Sequence, residues 1–379
     1  MTKTKRPQSS QQDAFAAHFS STTRYGDRWN ASLYSALLAK TRYAALHNRY
    51  VPLADFHAAV GSPGSLKRIV LPSATGDIHS DDIQVFVRSN DAENPDAPFT
   101  QPSQASNGLS THWNLDAASA LAVHMLHIVP GDRVLDLCAA PGGKSVAIAQ
   151  SIWPHLQPDY PGPPMAGAKK GALHSNEFDR TRNRRLADNL SQYLPASLVT
   201  AGQQKVLQFD GIKGAQAFPL GVGGYDKALV DAPCSSERHI IHAEAKASSG
   251  KVGAVADEVA RWSPATSKRM AETQQDLLMT ALRAVRIGGV VLYATCSIST
   301  EENDGVVEKA LTELGKKSKK GELTWTAEVV KFDAQVEPGL ESFAERTTYG
   351  WLVLPDHPNG GRWGPLYFTK LIKATLPPR

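Results

Sequence analysis

The 379-residue sequence has no long apolar run and contains only three cysteines. A membrane-spanning helix needs about 18 or more consecutive apolar residues, so we expect neither a transmembrane segment nor a membrane partner. Cys138, Cys234 and Cys296 are too few and too widely spaced for a disulfide framework or a CxxC zinc site. We therefore expect no metal and a reducing compartment. The first forty residues also lack an apolar signal segment, so we do not expect secretion.

Neither positively nor negatively charged residues are in clear excess. The chain has 41 Lys and Arg residues against 37 Asp and Glu residues, for a formal net charge of +4. This balance permits a polyanionic partner without proving one. Basic residues cluster at Arg180, Arg182, Arg184 and Arg185, and again at Lys316, Lys317, Lys319 and Lys320. For each cluster, a solvated charged surface is the simplest interpretation.

The length predicts two domains, since a domain averages about 150 residues. We divide the chain into a flexible N-terminus (1–12), a helical and mixed N-terminal region (13–114) and a larger domain (115–379). Apolar residues from 29 to 45 recur at helical spacing and predict one helix there. The segments 154–171 and 243–257 are rich in small residues, Pro or Lys and read as surface insertions.

From residue 115 onward, predicted strands alternate with predicted helices. The strands are RVLDL (133–137), ALHSN (172–176), KVLQF (205–209), YDKALVD (225–231) and VVLYA (290–294), followed by WLVLP and LYFTKLI. Such alternation is typical of α/β proteins with a doubly wound, mostly parallel sheet, whose ligands bind at the carboxyl ends of the strands.

A glycine-rich loop, DLCAAPGGKS (136–145), follows the first of these strands and opens a helix. Small residues let the backbone approach a nucleotide-type ligand, and the helix N-terminus offers free N–H groups. A Walker A loop would need glycine at position 138, where the chain has Cys138, so a P-loop NTPase is disfavoured. Glu177 follows the second strand, where a carboxylate can accept hydrogen bonds from a ribose. Asp210-Gly211 follows the third strand, at a position that can contact an adenine edge.

Two cysteines follow the fourth and fifth strands, in DAPCS (231–235) and TCS (295–297). A buried structural role is common for cysteine, but two such positions beside a glycine-rich loop are hard to explain by packing alone. Ala232, Pro233 and Cys234 also differ from the Pro-Pro-aromatic sequence of amino-group methyltransferases. The pattern therefore favours a nucleophilic mechanism over direct transfer to an exocyclic amine.

Taken together, LDLCAAPGGKS, DAPCS and ATCSIS resemble the Sun-type (Nol/Nop/Sun) RNA cytosine-5 methyltransferases, which use S-adenosylmethionine. The segments HFSSTTRYGDRW, CSSERH and WLVLP…WGPLYFTK are most similar to the branch that modifies mitochondrial small-subunit ribosomal RNA. The resemblance extends from about residue 14 to residue 373. It implies a Rossmann-like class I methyltransferase with a seven-stranded, mostly parallel sheet and a smaller N-terminal region.

The resemblance also implies roles for individual residues. Cys296 would be the nucleophile, Cys234 would assist product release, and Asp231 would contact the cytosine, with Lys144 orienting Asp231, the cofactor or both. The cofactor and base pocket would comprise Cys138, Ala139, Ala140, Pro141, Gly142, Gly143, Lys144, Glu177, Arg182, Asp210, Gly211 and Asp231. The chain departs from the family at Glu177, where an aspartate is usual.

The expected partner is RNA, with ribosomal RNA favoured and transfer RNA open because a sister branch acts on it. The related mitochondrial enzyme works with a helical-repeat protein, so the resemblance also implies such a partner and a mitochondrial location. Two alternatives remain open. Cys234 could be the nucleophile, as in DNA cytosine-5 enzymes, or the chain could be a non-catalytic RNA-binding factor in ribosome assembly.

Overall fold

The computed structural model describes residues 11–72, 83–90, 94, 97–160, 170–248, 262–331, 337–359 and 361–376. The predicted flexible N-terminus lies outside the described residues up to residue 10, as do 161–169 and 249–257 of the two predicted insertions. None of the helices in the described part has the length and apolar character of a membrane span.

The N-terminal region contains helices and a small antiparallel sheet. The helices are α1 (Gln11–Phe19), a π-helical turn (Trp29–Leu33) continuing as α2 (Tyr34–Leu38), and α3 (Leu53–Val60). The described strands, in the order β2-β3-β1-β4, are β1 (Ala44–His47), β2 (Leu66–Arg68), β3 (Val85–Arg88) and β4 (His112–Leu115).

The single helix predicted over residues 29–45 is therefore wrong at its C-terminal end. The helix ends at Leu38, and Ala44–His47 forms β1, whose four residues are all buried. This strand is central in its sheet and pairs with both β3 and β4. Hydrogen bonding to a strand on each side stabilises the extended conformation more than helical spacing of the apolar residues stabilises a helix. This pairing involves distant segments, so the local sequence pattern does not reveal it.

The larger sheet has nine strands among the described residues. They are β5 (Arg133–Asp136), β6 (Ala172–Asn176), β7 (Gln204–Leu207), β8 (Tyr225–Asp231), β9 (Val285–Thr295), β10 (Trp325–Val329), β11 (Glu345–Arg346), β12 (Trp351–Val353) and β13 (Leu366–Thr375). The order is β11-β12-β13-β9-β8-β5-β6-β7, and β10 pairs with β13. Strands β5 to β9 pair in parallel, whereas the pairs that involve β10 to β13 are antiparallel.

The predicted doubly wound, mostly parallel arrangement is confirmed, but the strand number of seven is too low. The short antiparallel strands β10 and β11 lie at the edge of the sheet, where pairing with one neighbour defines them. β11 has only two residues, which is too short for an alternating apolar pattern to predict.

Helices cover both faces of this sheet. They are α4 (Ala117–Met125), α5 (Gly143–Ile152), α6 (Arg180–Tyr193), α7 (Ala196–Thr200), α8 (Glu237–Ser248), α9 (Pro264–Ala284), α10 (Asp304–Lys319) and α11 (Glu337–Glu341). Successive residues of a strand point to opposite faces, so Val134 packs with α4, α5 and α6, and Leu135 packs with α9 and α10. Phe15 and Trp29 of the N-terminal region join the second of these clusters.

Because the five strands β5 to β9 run parallel, their carboxyl ends lie at one edge of the sheet. Parallel strands β5, β6, β7, β8 and β9 end at Asp136, Asn176, Leu207, Asp231 and Thr295, respectively. The loops that follow these residues carry most of the predicted site residues, so the topology gathers segments that are far apart in sequence.

Candidate active site

A cavity of about 810 Å³ opens at the carboxyl edge of the larger sheet. The predicted site residues that line it are Cys138, Ala140, Lys144, Glu177, Arg182, Asp210, Gly211, Asp231, Cys234 and Cys296. Ala139, Pro141, Gly142 and Gly143 lie in the glycine-rich loop but outside this lining. The cavity falls within the roughly 300–1,000 Å³ range of small-molecule sites.

The two glycines have a packing role that differs from the predicted one. Gly142 has φ +119°, and a Cβ atom there would lie 3.2 Å from the Leu186 side chain. A Cβ atom on Gly143 would lie 2.7 Å from Nε1 of Trp113. Glycine is therefore required so that the start of α5 can pack against α6 and Trp113, whereas we had predicted room for a ligand.

Lys144 and Asp231 form an ion pair in the cavity wall. The Lys144 Nζ atom donates to Asp231 Oδ2 at 2.7 Å and to Ser119 Oγ at 3.0 Å. Burial would lower the pKa of Lys144, but the pairing with Asp231 outweighs it and raises the pKa. The ammonium group is thus a permanent cation that fixes the Asp231 carboxylate at the end of β8.

The two predicted catalytic cysteines meet at the ends of β8 and β9. Their Sγ atoms are 2.9 Å apart, and both cysteines are free and partly buried. Ser236 Oγ lies 2.7 Å from Cys296 Sγ and 3.4 Å from Cys234 Sγ. Cys296 therefore has two polar hydrogen atoms within reach, one from a thiol and one from a hydroxyl group.

The two sulfur atoms are not equivalent. The hydrogen bond with Cys296, reinforced by burial, raises the pKa of Cys234 well above its ordinary value. Cys234 is thus held as a thiol that can donate to the Cys296 sulfur. Burial also raises the pKa of Cys138, so this third cysteine lines the cavity as a neutral thiol.

At the other end of the cavity, Glu177 follows β6 and is 6% exposed. Its Oε1 accepts from the backbone N–H of Asp179 at 2.9 Å, and its Oε2 lies 3.2 Å from Arg182 Nη2. Arg182 also donates to the carbonyl oxygen of Ala140 at 3.2 Å, which ties α6 to the glycine-rich loop. Asp210 caps the short helix that follows β7 through the N–H of Ile212.

The model of the family described as 16S rRNA methyltransferase RsmB/F matches residues 123–340, which is more than half of the chain. This chain belongs to the RsmB/F family. It is 31% identical over 353 residues to the zebrafish (Danio rerio) tRNA (cytosine(34)-C(5))-methyltransferase, mitochondrial, covering 91% of this chain and 82% of that protein. It is 28% identical over 375 residues to the bovine (Bos taurus) 5-cytosine rRNA methyltransferase NSUN4, covering 93% and 86%, respectively.

Solved structures show the same fold as this RsmB/F-family chain. A methyltransferase homolog from Pyrococcus horikoshii superposes with a TM-score of 0.59 at 18% identity, covering 92% of this chain and 91% of that one. The P. horikoshii NSun6 structure gives a TM-score of 0.57 at 15% identity, covering 93% and 96%. The predicted family and the Rossmann-like methyltransferase fold are confirmed.

The cavity of this RsmB/F-family protein fits the predicted cofactor, S-adenosylmethionine. Glu177 and Asp210 offer carboxylates for hydroxyl and amino groups, and Phe178 and Ile212 present exposed apolar surface in the same lining. Phe178 is 62% exposed, so its ring can stack on a flat apolar group bound in the cavity. Among the described residues, no group of three metal-binding side chains is present.

Sequence reasoning missed several residues of the cavity in this RsmB/F-family chain. Ser119 lies on α4, 25 residues before the lysine it binds, and Phe178 directly follows Glu177. Of these residues, only Phe178 could have been identified from the sequence, because it is an aromatic residue next to a carboxylate at the end of a strand. Ser236 could not have been identified from the sequence, because its position near Cys296 depends on a left-handed backbone conformation (φ 49°).

Asp136, at the end of β5, gives this RsmB/F-family protein a predicted pH dependence of stability. It is fully buried, its Oδ2 accepts from Ser145 Oγ at 2.6 Å, and its Oδ1 has no partner. Burial, assisted by the charge of Asp231, raises its pKa to about 7. The folded protein therefore keeps a proton that the unfolded chain loses above pH ~4.

Stability from this proton is complete at low pH and is lost as pH rises from about 4 to 7. The full effect is roughly 4 kcal/mol. Thermal unfolding of the unaltered protein and of Asp136→Asn, which cannot titrate, measures it. We expect the Tm of the unaltered protein relative to the variant to fall between pH 4 and pH 7. A constant difference across this range would contradict a buried, protonated Asp136.

Proposed function

We propose that this chain is an S-adenosylmethionine-dependent RNA (cytosine-5) methyltransferase in which Cys296 attacks carbon 6 of the target cytosine. One observation carries the proposal. Two free cysteine sulfur atoms lie 2.9 Å apart in the same cavity as the Lys144–Asp231 ion pair and the carboxylates Glu177 and Asp210. This arrangement combines a nucleophile, a group that stabilises charge and a nucleotide-sized binding site.

The cysteine is needed because carbon 5 of cytosine is a poor nucleophile. Addition of the Cys296 thiolate to carbon 6 turns the ring into an enamine, in which carbon 5 carries the electron density. A free cysteine has a pKa near about 8.5, so only a small fraction is thiolate at neutral pH. The Cys234 thiol and the Ser236 hydroxyl group lie 2.9 Å and 2.7 Å from the Cys296 sulfur, so both can hydrogen-bond to it.

Asp231 and Lys144 act on the other side of the ring. The Asp231 carboxylate faces the cavity and accepts a hydrogen bond from the amino group of the cytosine. As the sulfur adds, the ring nitrogen takes up a proton from solvent, and its N–H then donates to the same carboxylate. Lys144 holds this carboxylate through the 2.7 Å contact, so the hydrogen-bonding geometry exists before the base binds. Lys144 is itself a positioning residue that acts through Asp231.

Bound S-adenosylmethionine supplies a methyl group on a positively charged sulfur. The residues that would hold it are Cys138, Ala140, Glu177, Arg182, Asp210 and Gly211, with Phe178 and Ile212 against its flat purine. We assign the release step to Cys234, which lies beside Cys296. Removal of the carbon-5 proton re-forms the ring double bond, and the bond between carbon 6 and Cys296 breaks with its electron pair returning to sulfur.

The Glu177 carboxylate should determine cofactor affinity. Hydrogen bonds to a charged group contribute about 1.5–3 kcal/mol each, so Glu177→Ala should weaken S-adenosylmethionine binding about 10- to 100-fold. Isothermal calorimetry measures the Kd directly. Asp188→Asn, an exposed carboxylate on the same helix as Arg182, is the matched control and should bind normally. A Kd for Glu177→Ala within twofold of the unaltered protein would contradict this role.

We propose ribosomal RNA as the substrate, with transfer RNA as the second candidate. The bovine relative is named as an rRNA enzyme, and the zebrafish relative, at slightly higher identity, as a mitochondrial tRNA enzyme. The target base must leave its stack for sulfur to reach carbon 6, so we infer a single-stranded or flipped cytosine. We also propose a mitochondrial location. With a net charge of only +4, a helical-repeat partner would help to hold the RNA.

The direct test is to incubate the purified protein with methyl-labelled S-adenosylmethionine and either mitochondrial small-subunit rRNA or tRNA. We expect labelled 5-methylcytidine in the digested rRNA. Label in tRNA alone would support the second candidate, and label in neither RNA would overturn the proposed function. Bisulfite sequencing of organellar and cytosolic RNA, with and without the gene, then identifies the modified cytosine and its compartment.

A further inference from the structure

Two buried carboxylates connect the loops that carry the catalytic cysteines. Cys234 lies in the loop between β8 and α8, and Cys296 in the loop between β9 and α10. Glu237 is the first residue of α8, and Glu302 lies just before α10. Both side chains are fully buried, although neither belongs to the cavity lining or to the mechanism described above.

Glu302 reaches from the Cys296 loop to the Cys234 loop. Its Oε2 atom accepts from the backbone N–H of Ser235 at 3.0 Å and from Gln274 Nε2 at 2.8 Å. Gln274, on α9, also donates to the carbonyl oxygen of Pro233 at 2.9 Å. Residues on both sides of Cys234 in the chain are thus held by one carboxylate and one amide.

Glu237 makes the reverse connection, from the Cys234 loop to the Cys296 loop. Its Oε2 accepts from the backbone N–H of Ile298 at 3.0 Å, and its Oε1 accepts from Ser297 Oγ at 2.9 Å. Oε1 also accepts from the hydroxyl group of Ser235. The two loops are therefore joined in both directions, directly behind the sulfur atoms.

Ser297 lies between the two carboxylates. Its Oγ is 2.9 Å from Glu237 Oε1 and 3.3 Å from Glu302 Oε1, but a hydroxyl group has only one proton to donate. The Ser235 hydroxyl group also donates to Glu237 Oε1, so every oxygen atom of the two carboxylates has a donor when Ser297 donates to Glu302. Ser297 Oγ itself accepts from the backbone N–H of Ser299 at 3.0 Å.

No cation compensates for two negative charges at this place. Among the described residues, neither Glu237 nor Glu302 has a basic nitrogen within 4.0 Å. The neighbouring titratable groups are Tyr25, Tyr293 and Cys234, each with a raised pKa, so none supplies positive charge. Burial and the charge of Glu302 raise the pKa of Glu237 to about 7. Buried carboxylates without a cation are costly unless hydrogen-bonded, so the donors of both loops must stay in place around these two side chains.

We propose that Glu237 and Glu302 are positioning residues that lock the loops of Cys234 and Cys296 together, which sets the separation of the two sulfur atoms. The inference rests on the proposed function, since it gives that separation a catalytic purpose. Glutamine has the shape of glutamate and keeps one oxygen atom that can accept from Ser235 and Gln274. One glutamine can therefore replace one member of the pair, whereas alanine leaves the Ser235 and Gln274 donors without an acceptor.

The test compares Glu302→Gln with Glu302→Ala in steady-state methylation of RNA. A displacement of about 1 Å can cost about 100-fold in rate, so we expect the kcat of Glu302→Ala to fall 10- to 100-fold. The KM values for RNA and S-adenosylmethionine should stay within twofold. Glu302→Gln should recover kcat to within threefold of the unaltered protein. If Glu302→Ala does not fold, Ser297→Ala replaces it and should lower kcat about tenfold.

A second measurement needs no RNA and separates this inference from the proposed function. The alkylation rate of each cysteine by iodoacetamide, followed by peptide mass spectrometry, should change at Cys234 and Cys296 in Glu302→Ala and stay constant at Cys138. Glu313→Ala is the matched control, because Glu313 joins the same two helices through Gln275 at 2.8 Å but contacts neither cysteine loop. We expect unchanged kcat and alkylation rates in this control.

Three results would overturn the positioning role: an unchanged kcat in Glu302→Ala, a kcat of Glu302→Gln as low as that of Glu302→Ala, or the same alkylation rates in all variants. If the unaltered protein makes no 5-methylcytidine, the proposed function fails. The alkylation rates then still decide whether the carboxylate pair sets the positions of the two sulfur atoms.

Discussion

Replacing Cys296 by alanine is expected to abolish methyl transfer, with a loss of at least about 10⁴-fold in kcat. Without this sulfur, carbon 5 of the cytosine is never activated, and the remaining groups only bind the two substrates. Mass spectrometry of digested RNA measures the 5-methylcytidine formed. Calorimetric binding of S-adenosylmethionine is the control and should be unchanged, because the carboxylates Glu177 and Asp210 remain. Residual activity above about 1% would contradict a nucleophilic role for Cys296.

Cys234→Ala should fail at a different step. If Cys234 acts in release, the variant can still form the bond between Cys296 and the RNA but breaks it slowly. A protein–RNA complex that survives denaturing electrophoresis should accumulate in Cys234→Ala and be absent from the Cys234→Ala/Cys296→Ala double variant. The opposite result, accumulation in Cys296→Ala, would exchange the roles of the two cysteines.

Replacing Asp231 by asparagine is expected to lower kcat about 10³-fold. The variant loses the charge that stabilises the cytosine adduct, and it leaves the Lys144 ammonium group, 14% exposed in its side chain, without its anion. The KM for S-adenosylmethionine should change much less, since Glu177 and Asp210 are untouched. Steady-state kinetics with both substrates varied separates the two effects.

Lys144→Met tests whether the ion pair acts as one unit. If Lys144 works through Asp231, the double variant Asp231→Asn/Lys144→Met should lose no more activity than Asp231→Asn alone. If the two losses add, each residue acts independently, and the positioning role of Lys144 is wrong.

The sequence predicted the parts of the fold that depend on local pattern. Strands β6 and β8 have the predicted bounds, Ala172–Asn176 and Tyr225–Asp231, because each belongs to the regular alternation of strands and helices. The site followed from topology, since residues directly after parallel strands must meet at one edge of the sheet. That rule brought Cys234, Cys296, Asp231 and Glu177 together without any coordinates.

What the sequence could not predict depends on contacts between distant segments. The residues of β1 have helical spacing, and only pairing with β3 and β4 makes them a strand. Gly143 was predicted to leave room for a ligand, whereas the indole of Trp113, 30 residues away, fills that space. The contact network of Glu237 and Glu302, which are 65 residues apart, could not be predicted from the sequence either. Their partners are backbone groups and serines of another loop. The division of the chain at residues 114 and 115 stays a prediction.

The most direct test of the central claim is covalent capture on RNA that carries 5-fluorocytosine, in the presence of S-adenosylmethionine. Fluorine at carbon 5 cannot leave as a proton does, so the bond between carbon 6 and the attacking sulfur persists. Protease digestion and mass spectrometry of the complex identify the modified peptide. We predict that the RNA is attached to Cys296 and that the Cys234→Ala variant still forms the adduct. Attachment to Cys234, with the adduct retained in Cys296→Ala, would contradict the account.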